Sequence, residues 1–163
     1  MRRVRFVVLG VVAGVATLGA VFLWGIRAKS PPVVDAVRRT NRRVLNPRQL
    51  RSAGTEGAFA SVVQHLGRSS SRRYATPVGA VPTEDGFVIA LPYGTRADWV
   101  RNVLAAGSAT ILREGRSFDV VDPRLVATSE VEQFFPPTDR RSFRLLHVDE
   151  ALQLRLAPSS VGA

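Results

Sequence analysis

An uncharged run of 21 residues, Phe6 to Ile26 (FVVLGVVAGVATLGAVFLWGI), constrains this chain more than anything else in it. As a helix rising about 1.5 Å per residue it would be roughly 31 Å long, matching the ~30 Å hydrocarbon core of a bilayer. Trp24 stands near one end, where an amphipathic ring favours the interface. The ordinary alternative is a cleaved secretory signal, because Arg2, Arg3 and Arg5 resemble an n-region. Against it, the run exceeds the usual signal core of about 7–15 residues. No small-x-small cleavage site follows, and Arg27 and Lys29 come directly after the run. The expectation is an uncleaved transmembrane anchor over residues 1–29. Gly10 and Gly14 form a GxxxG pair that suits helix pairing, although in so glycine-rich a helix an incidental pair is the commoner case.

Charge divides the chain in the same way. A net charge of +10 would ordinarily suggest nucleic acid. Residues 1–51, however, hold eleven basic side chains and one acid, Asp35, while residues 52–163 hold twelve of each. The body is neutral, and no nucleic-acid partner is expected. Arg27, Lys29, Arg38, Arg39, Arg42 and Arg43 follow the span and three arginines precede it. The excess of cations on the far side places the body in the cytoplasm, on the inner face of the cell membrane. Ser30-Pro31-Pro32 ends the span. Val33, Val34, Val37, Val44 and Leu45 then recur at near-helical spacing between arginines, so residues 30–57 read as a basic juxtamembrane helical arm. Such an arm lies either on the anionic leaflet or against the body.

From residue 58 to residue 157 the pattern changes to short apolar runs separated by turn residues. Phe59 to Leu66, Tyr74 to Val81, Phe87 to Leu91, Ala109 to Arg113 and Ser117 to Val121 read as strands, and Ala151 to Leu156 as a closing strand. Glu84-Asp85-Gly86 and Glu114-Gly115 are turn signals. Thr95 followed by Asp98 resembles a capping box, and Gly107 a helix stop. Between them Trp99, Val100, Val103 and Leu104 share an apolar face, with Arg101, Asn102 and Ala105 on other sides. A second helix is expected from Ser129, with Glu132 three residues on. Residues 158–163 read as a frayed tail. Many antiparallel strands with few helices make a mainly β (α+β) fold, a small and partly closed barrel.

Cysteine is absent, which excludes disulfides, thiolate metal sites and a cysteine nucleophile. Two histidines, His65 and His147, are too few and too far apart in sequence to suggest a metal centre or a triad. The densest polar stretch of the body is Gly67-Arg68-Ser69-Ser70-Ser71-Arg72-Arg73, a loop between two expected strands. Guanidinium forks, hydroxyls and loop amides suit a phosphate or carboxylate, while a solvated turn is the commoner role for such a loop. Gly94-Thr95 at a helix start is a second candidate for an anion, with plain capping as its alternative. Asn102 has a side chain able to bond a ligand, and a solvated Asn is the ordinary reading. Trp99 is more often core than a stacking platform.

Taken together, HLGRSSSRRYATPV followed by LPYGTRADWVRNVLAAG resembles the deazaflavin-dependent nitroreductase family over roughly residues 58–125. The resemblance implies a split antiparallel β-barrel with a few flanking helices, preceded here by one transmembrane helix. It implies the 8-hydroxy-5-deazaflavin coenzyme F-420 as cofactor. Gly67, Arg68 and Ser70 keep the family's loop pattern, and Thr76-Pro77 keeps its following step. Ser69 stands where the family has a cation and Ser71 where it has a glycine, with Arg72 and Arg73 as neighbouring cations. By the same resemblance Arg68, Ser69 and Ser70, with Tyr74, Thr76, Pro77 and Val78, would hold the phosphate tail and line the ring pocket. Leu91, Pro92 and Tyr93 would pass along the cofactor, and Asp98, Trp99, Val100, Arg101 and Asn102 would close the site. No residue downstream of Val121 matches the family's substrate-side tyrosine, so no catalytic residue is assigned. The implied activity is hydride transfer to a small-molecule electron acceptor such as a quinone or a nitro compound, and the anchor favours a lipid-soluble quinone. FMN or haem in a similar barrel is one alternative. A non-catalytic, membrane-tethered cofactor-binding or interaction domain is another. The oligomeric state, a dimer included, stays open.

Overall fold

The computed structural model of the protein describes residue 30, residues 50–58 and residues 60–158. The expected anchor, residues 31–49 of the basic arm and the end of the tail lie outside the described residues. No helix of the described residues is long and apolar enough to cross a membrane.

Seven strands form one antiparallel sheet: β1 (Ser61–Leu66), β2 (Arg73–Val78), β3 (Ala80–Pro82), β4 (Gly86–Ala90), β5 (Ser108–Arg113), β6 (Arg116–Ala127) and β7 (Glu150–Leu156). Three helices accompany them: α1 (Asp98–Ala106), α2 (Thr128–Val131) and α3 (Pro137–Leu146), with a 3-10 turn over Glu132–Phe134. The strand order is β2-β1-β5-β6-β7-β4-β3. The two outermost strands, β2 and β3, are thus consecutive in the chain and joined only through Gly79. The ladder fails to close between them although they are consecutive in the chain, and the result is a half-barrel.

The sequence reading of Tyr74 to Val81 as one strand is therefore corrected. Residues 73–78 pair with β1, whereas residues 80–82 pair with β4. One strand cannot serve both neighbours, so the chain turns a corner at Gly79. Strand β6 is correspondingly longer than the expected Ser117 to Val121. Asp122 and Pro123 break the alternation in sequence, but they form a bulge opposite Leu154, with Asp122 at φ +53°, and pairing with β7 resumes at Arg124. A proline at a bulge forfeits no ladder bond.

The two turn signals sit where expected. Thr83 N–H donates to Gly86 O at 2.8 Å between β3 and β4. Glu114 and Gly115, both at positive φ, join β5 to β6. The capping box is absent: α1 begins at Asp98 with Ala97 as its cap and no side-chain cap bond. Gly107 ends the helix in the left-handed conformation as anticipated. The helix expected from Ser129 starts one residue earlier and stops after one turn. Helix α3 was not anticipated: its residues are mostly polar and none is buried, although Phe143 packs partly buried against Phe135.

Val100 and Val103 of α1 are fully buried against Val63, Ile111, Val120, Leu152 and Leu154 of the sheet, with Trp99 and Leu104 packed partly buried beside them. Each such aliphatic side chain contributes roughly 1.5–3 kcal/mol relative to exposure. This packing fixes α1 across the inner face of β1, and everything about the site follows from that placement.

Candidate functional site

Strand β1 alternates strictly at its end: Val63 and His65 point inward, Gln64 and Leu66 outward. Register with β2 sets Val63 opposite Thr76 and His65 opposite Tyr74, so these four share one face. His65 stacks on Tyr74 with ring centroids 5.8 Å apart, and its Nε2 lies 3.3 Å from the diagonal neighbour Thr76 Oγ1. Across from β1, α1 presents Asn102, only 6% exposed, whose Nδ2 lies 3.2 Å from His65 Nδ1. Burial holds the His65 imidazole below its ordinary value of 6.5, partly offset by the Leu66 backbone and by the negative charge of Asp98.

The loop after β1 is clamped to the same helix. The backbone N–H of Arg68 and its guanidinium Nη1 both donate to Asn102 Oδ1, at 3.2 and 2.9 Å. Nη2 of Arg68 lies 3.2 Å from Asp98 Oδ1. Gly67 permits the tight turn, since a Cβ there would sit 2.5 Å from Ser70 Oγ and 2.7 Å from Tyr74 Cε2. Ser70 Oγ is 3.3 Å from the Tyr74 hydroxyl. An unbroken polar chain thus runs from Thr76 through His65, Asn102 and Arg68 to Asp98, linking β2, β1, the loop and α1.

Above this chain lies a cleft of about 680 Å³ at the unclosed part of the barrel. Of the residues expected at the site, Arg68, Ser69, Ser70, Tyr74, Thr76, Pro77, Val78, Leu91, Pro92, Tyr93, Asp98, Trp99 and Asn102 line it. Val100 and Arg101 do not: Val100 is wholly buried in the core and Arg101 faces solvent. Consecutive helical residues fan out by about 100° each, so a contiguous five-residue segment cannot face a single cleft. Ile89, Ala90, Gly94 and Ala97 also line the cleft, as does Leu50 from the end of the arm. His65 is the polar residue that the sequence reading missed. Its signal was present: it stands two positions after Val63 on the inward face of an alternating strand.

Two expectations about anion binding change. Most of the loop amides are engaged within the protein. Gly67 N–H donates to Arg72 O, those of Ser70 and Ser71 donate to Gly67 O, and that of Arg72 donates to Ser70 Oγ. The loop offers its hydroxyls and the Arg68 fork instead. Gly94-Thr95 is not a helix N-terminus, because α1 begins three residues after Thr95. No cluster of metal-ligating side chains occurs among the described residues.

The fold and site together define an antiparallel half-barrel with an apolar cleft at its seam and a charged rim. No family model and no curated protein matches the sequence. Among solved structures the chain is similar to an F-420-H2-dependent reductase, FDR-A, at 14% identity and a TM-score of 0.45, over 60% of this chain and 94% of that one. It is similar to a protein described as a domain-swapped dimer at 15% identity and a TM-score of 0.48, over 77% and 100% of the two chains. It is also similar to HutZ, the haem storage protein of Vibrio cholerae, at 15% identity and a TM-score of 0.43, over 62% and 82%.

Proposed function

We propose that the protein is a membrane-anchored oxidoreductase that binds reduced coenzyme F-420 in the cleft and passes a hydride to a quinone, nitroaromatic or similar conjugated acceptor. One observation carries the reading. Four separate stretches of sequence, singled out by their resemblance to the deazaflavin-dependent nitroreductases, converge on a single cleft. Its volume falls within the roughly 300–1,000 Å³ typical of cofactor sites. The donor set fits the group: Trp99, Tyr93, Pro77 and Leu91 offer an apolar surface for a planar ring. Arg68 and the hydroxyls of Ser69 and Ser70 suit an anionic tail.

When bound, a reduced deazaflavin supplies the hydride itself. The protein's share is to bind, orient and exclude water. Asn102 and Asp98 do part of this in advance by holding the Arg68 guanidinium in one direction, so that less side-chain entropy is lost on binding. Haem is the weaker alternative, since both ring nitrogens of His65, the histidine at the cleft, already lie against Asn102 and Thr76. A binding domain without turnover is the second reading, favoured by the departure of Ser69 and Ser71 from the family's loop pattern.

Turnover separates the two readings. The full chain in detergent, given the reduced deazaflavin and a soluble quinone, should oxidise the one as it reduces the other. Tight binding with no oxidation above the protein-free rate would establish the second reading. We place the cleft-bearing body on the cytoplasmic side of the membrane. A reporter fused after Ala163 tests this, and alkaline phosphatase activity from that fusion would refute it.

A further inference from the structure

We propose that His65 is a positioning residue that must be neutral, with its proton on Nε2, for the Arg68 loop to stay seated on α1. The hydrogen-bond chain dictates this. A backbone N–H and a guanidinium can only donate, so the Asn102 atom facing Arg68 is its oxygen. The amide NH2 of Asn102 therefore faces His65 and donates to Nδ1 at 3.2 Å. An accepting Nδ1 carries no proton, which leaves the proton of the neutral ring on Nε2, 3.3 Å from Thr76 Oγ1.

Protonating Nδ1 sets donor against donor. Asn102 cannot relieve the conflict by turning its amide over, because its NH2 would then meet the two Arg68 donors. The NH2 and Oδ1 of Asn102 belong to one rigid amide, so withdrawing Nδ2 from a charged His65 also draws Oδ1 away from Arg68 and loosens the first turn of the loop. The titratable and charged groups around the ring are Tyr74, stacked on it from β2, Arg68 from the loop, and Asp98 from α1. The Leu66 backbone and, less strongly, Asp98 favour the charged ring, but desolvation outweighs both. Given the cofactor reading above, an anionic tail would be held only while His65 is uncharged. The assignment of the proton does not depend on that reading.

Histidine-selective NMR of the full chain in detergent micelles reads the proton without any ligand. The chain has two histidines, and His65→Gln identifies which signals belong to His65. The expected result is the Nε2–H tautomer and a titration midpoint below 6.5. Asn102→Asp keeps an acceptor for Arg68 but turns an acceptor toward Nδ1 as well, and should raise the midpoint relative to the unmodified chain. An Nδ1–H tautomer in the unmodified chain overturns the proposal, with no variant needed. So does a midpoint that Asn102→Asp leaves in place or lowers. Amide hydrogen exchange over residues 67–73 reads the loop. It should quicken several-fold below the His65 midpoint relative to His65→Gln at the same pH, and equal exchange at every pH would also overturn the proposal. A protein that meets these expectations and binds no deazaflavin refutes the cofactor reading alone.

Discussion

Asn102 Oδ1 accepts both the backbone N–H of Arg68, at 3.2 Å, and its guanidinium, at 2.9 Å. One buried side chain thereby fixes where the loop begins and where its cation points. Helix α1 itself is held by the burial of Val100 and Val103 two positions before and one after. Loop geometry is thus set by core packing, transmitted through a single amide.

The Arg68 contacts are unequal, and this predicts an order of effects. Arg68→Ala removes a charge-assisted hydrogen-bonding group and should weaken deazaflavin affinity by about 1.5–3 kcal/mol, or roughly 10- to 150-fold. Arg68→Lys should recover little, since a point charge cannot reproduce a planar fork. The carboxylate of Asp98 is 68% exposed, so its pair with Arg68 is screened. Asp98→Ala should cost no more than about 1 kcal/mol of stability. Fluorescence titration for affinity and urea denaturation for stability check the order.

Val100 and Arg101 offer a test of where the site ends. Val100→Ala leaves a cavity in the core and should lower stability by about 1–3 kcal/mol. Arg101→Ala, at an exposed position, should alter stability by less than about 0.5 kcal/mol. Neither should change cofactor affinity, because neither residue lines the cleft. Urea denaturation gives the first two outcomes and affinity titration the third.

His65 makes stability depend on pH in a defined direction. Its value in the folded chain is depressed below 6.5, so between the two values the unfolded chain binds more protons than the folded one. The contribution is fully present above 6.5 and is lost as pH falls from 6.5 through the folded value. The stability difference between the wild-type chain and His65→Gln should therefore shrink on acidification. A difference that grows as pH falls would reverse the sign assigned here. Urea midpoints of both proteins across this range make the comparison.

How much of this was legible in the sequence differs from element to element. Strands β1, β4, β5 and β7 showed their apolar runs, and the Glu114-Gly115 turn and the Gly107 stop showed their local chemistry. The corner at Gly79 was not legible, because Tyr74 to Val81 reads as one run and only tertiary pairing divides it. The bulge at Asp122-Pro123 hid the second half of β6 for the opposite reason: a local strand breaker was overruled by pairing with β7. At the site, the residue types and their order pointed to the loop and to α1. The partnership of Asn102 with His65 was invisible, since the two are 37 positions apart and meet only when α1 packs over β1.

Cofactor selectivity bears most directly on the central claim. The full chain in detergent should be titrated in parallel with coenzyme F-420, FMN and haem, following ligand fluorescence or absorbance. The account predicts saturable binding of the deazaflavin, much tighter than that of FMN or haem, and weakened by Arg68→Ala. Equal or tighter binding of FMN or haem, or deazaflavin affinity indifferent to Arg68→Ala, would contradict it.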